Sequence, residues 1–145
     1  MIENQPKELT LIYHSDKGED KKARAFIETV TGYAVKTLDL KHDHLTETQV
    51  AEIADKMDVK IKTLFDTTYA DQFPSENRPD IGSATDTDLL TILVRDPMLL
   101  NTPITIIGKK AYSYASACEL LTKVDANETQ SRVLPAGITS FLNKG

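Results

Sequence analysis

Residues 8–30, ELTLIYHSDKGEDKKARAFIETV, constrain this chain more than any other stretch, because they read as a strand, a tight polar loop and an amphipathic helix. Leu9, Thr10, Leu11, Ile12 and Tyr13 are β-favouring residues in an apolar run too brief for a helix, closed off by Ser15, Asp16 and Gly18. Ala23, Phe26, Ile27 and Val30 then recur at i, i+3, i+4 and i+7, the spacing that lines one face of a helix. A strand running into a helix N-terminus aims free backbone N–H groups, and the positive end of the helix dipole, at the loop between them. In many folds such a loop holds a phosphate or a reactive thiolate. Here it holds Gly18, Glu19 and Asp20. Two first-turn carboxylates suit the dipole, by about 0.3–1 kcal/mol each, and compete with any external anion. Gly18 reads as a loop residue that has a positive φ or lies in close approach to another stretch of backbone.

The rest of the chain continues the alternation. Gly32 is placed to stop the first helix, and Tyr33, Val35, Thr37, Leu38 and Leu40 predict a second strand ending in a turn at residues 41–44. A strand, helix, strand connection implies a parallel pair. Thr46 and Gln49 make a capping box ahead of a second helix, whose Val50, Ile53, Ala54 and Met57 repeat the same spacing. Residues 59–65 suit a short helical turn, and 73–85, FPSENRPDIGSAT, is a loop by composition. A third helix is predicted over 86–96, capped by Thr85 or Asp86 and stopped by Pro97. Pro103 opens a strand over 104–107, and Gly108, Lys109 and Lys110 turn into 111–114 as an antiparallel hairpin that sets Tyr112 and Tyr114 on one strand face. A last helix is predicted over 116–124, and the tail over 125–145 has no clean period.

Composition removes several functions. A chain of 145 residues favours one domain with a real core. With 22 acidic against 17 basic residues the net charge is −5, and the lysine pairs Lys21, Lys22 and Lys109, Lys110 are isolated, so no nucleic-acid partner is expected. The start of the chain has no apolar leader segment and no run approaches the roughly 20 apolar residues of a membrane span, so the expectation is a cytoplasmic protein with no membrane partner. Cys118 is the only cysteine, so no intramolecular disulfide, redox pair or thiolate zinc site can form within one chain. It reads as a small core residue beside Ala117 and Leu121. His42 and His44 flank Asp43, but alternate side chains of an extended segment diverge, and no metal or other cofactor is expected.

The element order is that of an α/β, thioredoxin-like fold with a helical insertion between the second helix and the hairpin. Over residues 8–121 the chain resembles the ArsC and Spx-like branch of that superfamily, the glutaredoxin-linked arsenate reductases. The resemblance is carried by IYHSDKGEDKKARAF, LDLKHDHLTETQVAEI and DLLTILVRDPMLLNTPITIIGKKA, with DPMLLNTPI the most specific segment. It implies a single domain over 1–145, with a core of about 8–124 and an extension over 125–145. The expected sheet is four-stranded and mixed, in the order 2-1-3-4, since the first crossover must be right-handed.

What the resemblance implies about activity is mostly loss. The family's first loop is Tyr-His-Asn-Pro-x-Cys, with the cysteine as nucleophile, and the matching residues here are Tyr13, His14, Ser15, Asp16, Lys17 and Gly18. The second cysteine of the two-thiol members falls at Lys21. The three oxyanion-binding arginines are matched by Asp66, Thr102 and Tyr112, and Pro103 matches a cis-proline that faces the loop. The expectation is a vestigial site of His14, Gly18, Lys21, Asp66, Thr102 and Pro103 with no catalytic residue. The chain then acts by binding an unknown protein or small molecule in the groove between Gly18 and Pro103. The alternative is an arsenate reductase-like or glutathione-dependent oxidoreductase, for which Cys118 is the only internal thiol.

Overall fold

A computed structural model describes residues 7–77 and 80–131. The chain divides into two units, Met1–Tyr114 and Ala115–Gly145. In the first, β1 (Lys7–Tyr13), α1 (Gly18–Ile27) and β2 (Tyr33–Asp39) form the expected parallel unit, with Lys7 opposite Tyr33 and Tyr13 opposite Asp39. Then come α2 (Glu47–Met57), a 3₁₀ turn (Ile61–Leu64), α3 (Thr67–Ala70), a second 3₁₀ turn (Ser75–Asn77) and α4 (Asp86–Arg95). A third 3₁₀ turn (Pro97–Leu99) leads into the hairpin of β3 (Ile104–Ile107) and β4 (Lys110–Ser113). The sheet order is β2-β1-β3-β4, with β3 antiparallel to both β1 and β4, as expected.

Strand β1 lies inside the sheet and is buried on both faces. Ile12 points into a cluster with Val50 and Ile53 of α2, Leu89 and Leu93 of α4, and Ile104. Leu9 and Leu11 alternate to the opposite face, where α1 packs against β1 and Ala23 and Ile27 are buried. Two register facts position everything functional. Tyr13 pairs with Asp39, so β1 and β2 end side by side; Ile12 pairs with Ile104, so the residues entering β3 lie beside the loop leaving β1.

Where local chemistry decides, the elements follow the sequence. Thr46 caps α2 by accepting the Gln49 N–H at 3.1 Å while the Gln49 side chain accepts the Thr46 N–H at 2.9 Å, completing the capping box. Thr46→Ala should therefore cost about 1 kcal/mol in a chemical denaturation, with the slope unchanged.

Four details differ from the sequence reading. Helix α1 ends at Ile27, short of Val30, because the Thr29 hydroxyl donates to the Phe26 carbonyl at 2.6 Å and the N–H groups of Thr29 and Val30 bond three residues back, tightening the last turn. Gly32 follows at φ +86° and redirects the chain into β2. Helix α3 was not expected, since four residues carry no period; Asp66 starts it by accepting the Tyr69 N–H at 3.1 Å. Tyr114 is not on the strand face of Tyr112: β4 stops at Ser113, and Tyr114 opens α5 (Tyr114–Ser131), with its ring edge-on to Phe26. That helix also runs seven residues past the expected end at Val124, and of the tail over 125–145 residues 132–145 lie outside the described residues.

Candidate functional site

The loop after β1 turns tightly. Its Lys17 N–H bonds the His14 carbonyl at 2.9 Å, and α1 starts at once from Gly18. Lys17 sits at the N-cap but supplies no side-chain cap. The third helical residue takes over instead: Asp20 Oδ2 reaches back to accept the His14 N–H at 3.0 Å. The same carboxylate accepts a short hydrogen bond from the Thr102 hydroxyl, on the segment that enters β3. Asp20 is 2% exposed. The two first-turn acids therefore part company. Glu19 is a surface residue beside Lys22, the expected dipole partner, whereas Asp20 is a buried bolt between two segments.

Lys17 makes a second bridge across the same gap. Its Nζ lies 3.0 Å from Asp66 Oδ2 and donates to the Leu100 carbonyl at 2.9 Å. Asp66, which the resemblance puts in an arginine's place, has its charge balanced by Lys17, while its other oxygen caps α3. Segments 64–66 and 99–101 are themselves tied together, Asp66 N–H to the Leu99 carbonyl and Asn101 N–H to the Leu64 carbonyl, both at 2.7 Å. A third tie comes from the end of β2, where Asp39 Oδ1 accepts the N–H groups of Ser15 and Lys41, each at 3.0 Å. Burial pushes the Asp39 carboxyl up, but the bonds from Lys41 and Ser15, with His42 nearby, outweigh it and hold the group below the usual carboxylate range. A carboxyl depressed on folding stabilises the fold above its unfolded pKa, and that contribution is lost as pH falls through the folded value.

Asp20 thus ties His14 to Thr102, the ion pair ties Asp66 to Lys17, the residue before Gly18, and the Thr102–Pro103 peptide bond is cis. Lys21 is exposed on α1 and takes no part in these bridges, and Tyr112 stands on β4 opposite Thr105, with β3 between it and β1. Gly18 itself corrects the sequence reading. Its φ is not positive and nothing lies within 4 Å of where a Cβ would stand, so neither backbone strain nor crowding requires glycine there. Sequence reasoning missed Lys17 and the bolting role of Asp20. Only Asp20 left a trace, as an acid at the third helical position, where carboxylates reach back over a helix start. Among the described residues no group of three or more His, Cys, Asp or Glu side chains is arranged to hold a metal ion, and no helix is long and apolar enough to cross a membrane.

No protein-family model and no curated protein matches the chain. Solved structures do. An arsenate reductase from Vibrio cholerae superposes with a TM-score of 0.60 at 12% identity, covering 75% of this chain and 91% of its own. A Staphylococcus aureus protein solved by solution NMR gives a TM-score of 0.55 at 22% identity, covering 72% and 88%. An arsenate reductase (ArsC) related protein from Brucella melitensis gives 0.55 at 17%, covering 73% and 85%. Together with the strand order, the register and the cis-proline, these neighbours establish that the chain has the thioredoxin-like fold of ArsC-type proteins.

Proposed function

We propose that the chain is a redox-inactive thioredoxin-like domain, residues 8–124 with 125–145 an extension, that works in the cytoplasm as a binding or regulatory module. Its binding face is the groove between Gly18 and Pro103, and its partner is a protein or small molecule. The observation that carries the reading is Gly18. It occupies the start of α1, where the resembling reductases keep their nucleophilic cysteine, and the space above it is open. No thiolate stands there to attack an oxyanion. The neighbouring groups that change charge in chemistry are engaged with one another: Asp20 with His14 and Thr102, and Lys17 with Asp66 and Leu100. A rigid, chemically satisfied floor with an open patch suits recognition, since little ordering remains to oppose binding.

The names of the structural neighbours favour a second reading, an arsenate reductase-like oxidoreductase working through Cys118 on α5. One assay separates the two. With arsenate, glutathione and glutaredoxin supplied, the purified protein should show no turnover above the protein-free control. Turnover that disappears in Cys118→Ser would establish the second reading and overturn the first.

A further inference from the structure

The loop between β1 and α1 has four backbone N–H groups, and each has an acceptor. The His14 N–H bonds Asp20 Oδ2 at 3.0 Å, Ser15 bonds Asp39 Oδ1 at 3.0 Å, Asp16 bonds His14 Nδ1 at 3.2 Å, and Lys17 bonds the His14 carbonyl at 2.9 Å. Three of these acceptors are titratable side chains. One of them, the imidazole, accepts only while its Nδ1 is bare, because a neutral ring has one donor and one acceptor nitrogen and a charged ring has two donors. His14 is 5% exposed, so little water is at hand to replace a lost bond.

From this geometry we propose that His14 is a pH-operated latch on the loop that carries Gly18. With Nδ1 bare, the ring holds the Asp16 N–H and the loop is folded back on itself. A solvent proton taken up on the Nδ1 lone pair sets donor against donor, the bond to Asp16 is lost, and residues 15–17 leave their positions. Lys17 is then no longer held where its ammonium reaches Asp66 and Leu100. The floor of the groove is complete only while the ring is neutral, whatever the groove binds.

Among the described residues, the charged groups tied to this loop include Asp16 and Lys17 in the loop, Asp20 on α1, Asp39 at the end of β2, Lys41 and His42 in the turn after it, and Asp66 before α3. Lys41 lies 3.0 Å from Asp16 and supports the latched loop from outside. The imidazoles and the carboxylates are followed separately, so the group whose midpoint the loop transition shares identifies its owner. His42 is the other nearby imidazole; it is exposed, and His42→Gln removes it without touching the latch.

The test is NMR on the full-length, isotope-labelled protein from about pH 7.5 to about pH 5, following the His14 ring nitrogens and the amides of residues 15–17. At the upper pH the ring should carry its proton on Nε2. On acidification the Asp16 amide should lose at least about tenfold in exchange protection, beyond the intrinsic pH dependence of exchange, with the same midpoint as the His14 ring. His42→Gln should leave that midpoint in place, and His14→Gln should abolish the pH dependence. The ring and amide titrations of the unaltered protein decide the matter even if His14→Gln does not fold. An Nδ1–H ring at the upper pH, an Asp16 amide still protected at the lower one, or a midpoint that follows His42 or the carboxylates would overturn the proposal.

Discussion

Replacing Asp20 by alanine should destabilise the protein by about 3–5 kcal/mol, a large share of the 5–15 kcal/mol that holds a typical domain together. The reason is the pair of donors left behind. The His14 N–H and the Thr102 hydroxyl are buried with Asp20, and each loses its carboxylate acceptor at a place water scarcely reaches. A buried donor without a partner costs about 1–3 kcal/mol, more when the lost acceptor was charged. Asp20→Asn keeps the shape and one acceptor oxygen and should cost roughly half as much. Adding Thr102→Val to Asp20→Ala removes one orphaned donor, so the double variant should be more stable than the sum of the single changes by about 1–2 kcal/mol. Denaturant midpoints of the parent, Asp20→Ala, Asp20→Asn, Thr102→Val and the double variant check this. If Asp20→Ala fell within about 0.5 kcal/mol of the parent, as surface changes do, Asp20 would be only a dipole partner.

That bolt marks where sequence reasoning stopped. The strands, the capping box of α2, the stop at Pro97 and the sheet order were legible because each rests on neighbours in the chain: period two or 3.6, a cap three residues from its partner, one crossover of fixed hand. The site rests on pairs far apart. Asp20 and Thr102 are 82 residues apart, Lys17 and Leu100 are 83, and Ser15 and Asp39 are 24. Such pairs leave no periodic mark, so Lys17 carried no role in the sequence reading and Asp66 stood only as an acid in an arginine's place. The resemblance to the reductases supplied the groove's location and the cis isomer at Pro103, which composition and spacing do not encode. It did not supply the role of Asp20, which lies outside the positions it matched.

The second large effect concerns sulfur placed where the resemblance says sulfur has been lost. Gly18→Cys should fold, since a Cβ there meets nothing within 4 Å and the backbone is not in the left-handed region. The thiol would stand on the first residue of a ten-residue helix, in an exposed loop. Helix N-termini lower thiol pKa values to about 3.5–7.5, whereas an ordinary thiol is only a few per cent ionised at neutral pH. Alkylation at neutral pH should therefore run at least about tenfold faster at position 18 than at Cys118, which is partly buried on α5. Equal rates would mean that the N-terminus of α1 does not act on the groove.

Reactivity is not turnover. Charge developing on an oxyanion needs donors already in place, and removing one such donor costs about 10²–10³ in rate. The resemblance matches the reductases' three arginines to Asp66, Thr102 and Tyr112; the Lys17 ammonium is held by Asp66 and Leu100, and the Thr102 hydroxyl is held by Asp20. The most direct measurement is arsenate reduction by Gly18→Cys with glutathione and glutaredoxin supplied, beside an authentic reductase. A fast-alkylating thiol with no turnover above background is the expected result. Turnover approaching that of the authentic enzyme would contradict the loss of the oxyanion site, and with it the proposal that this fold now serves binding alone.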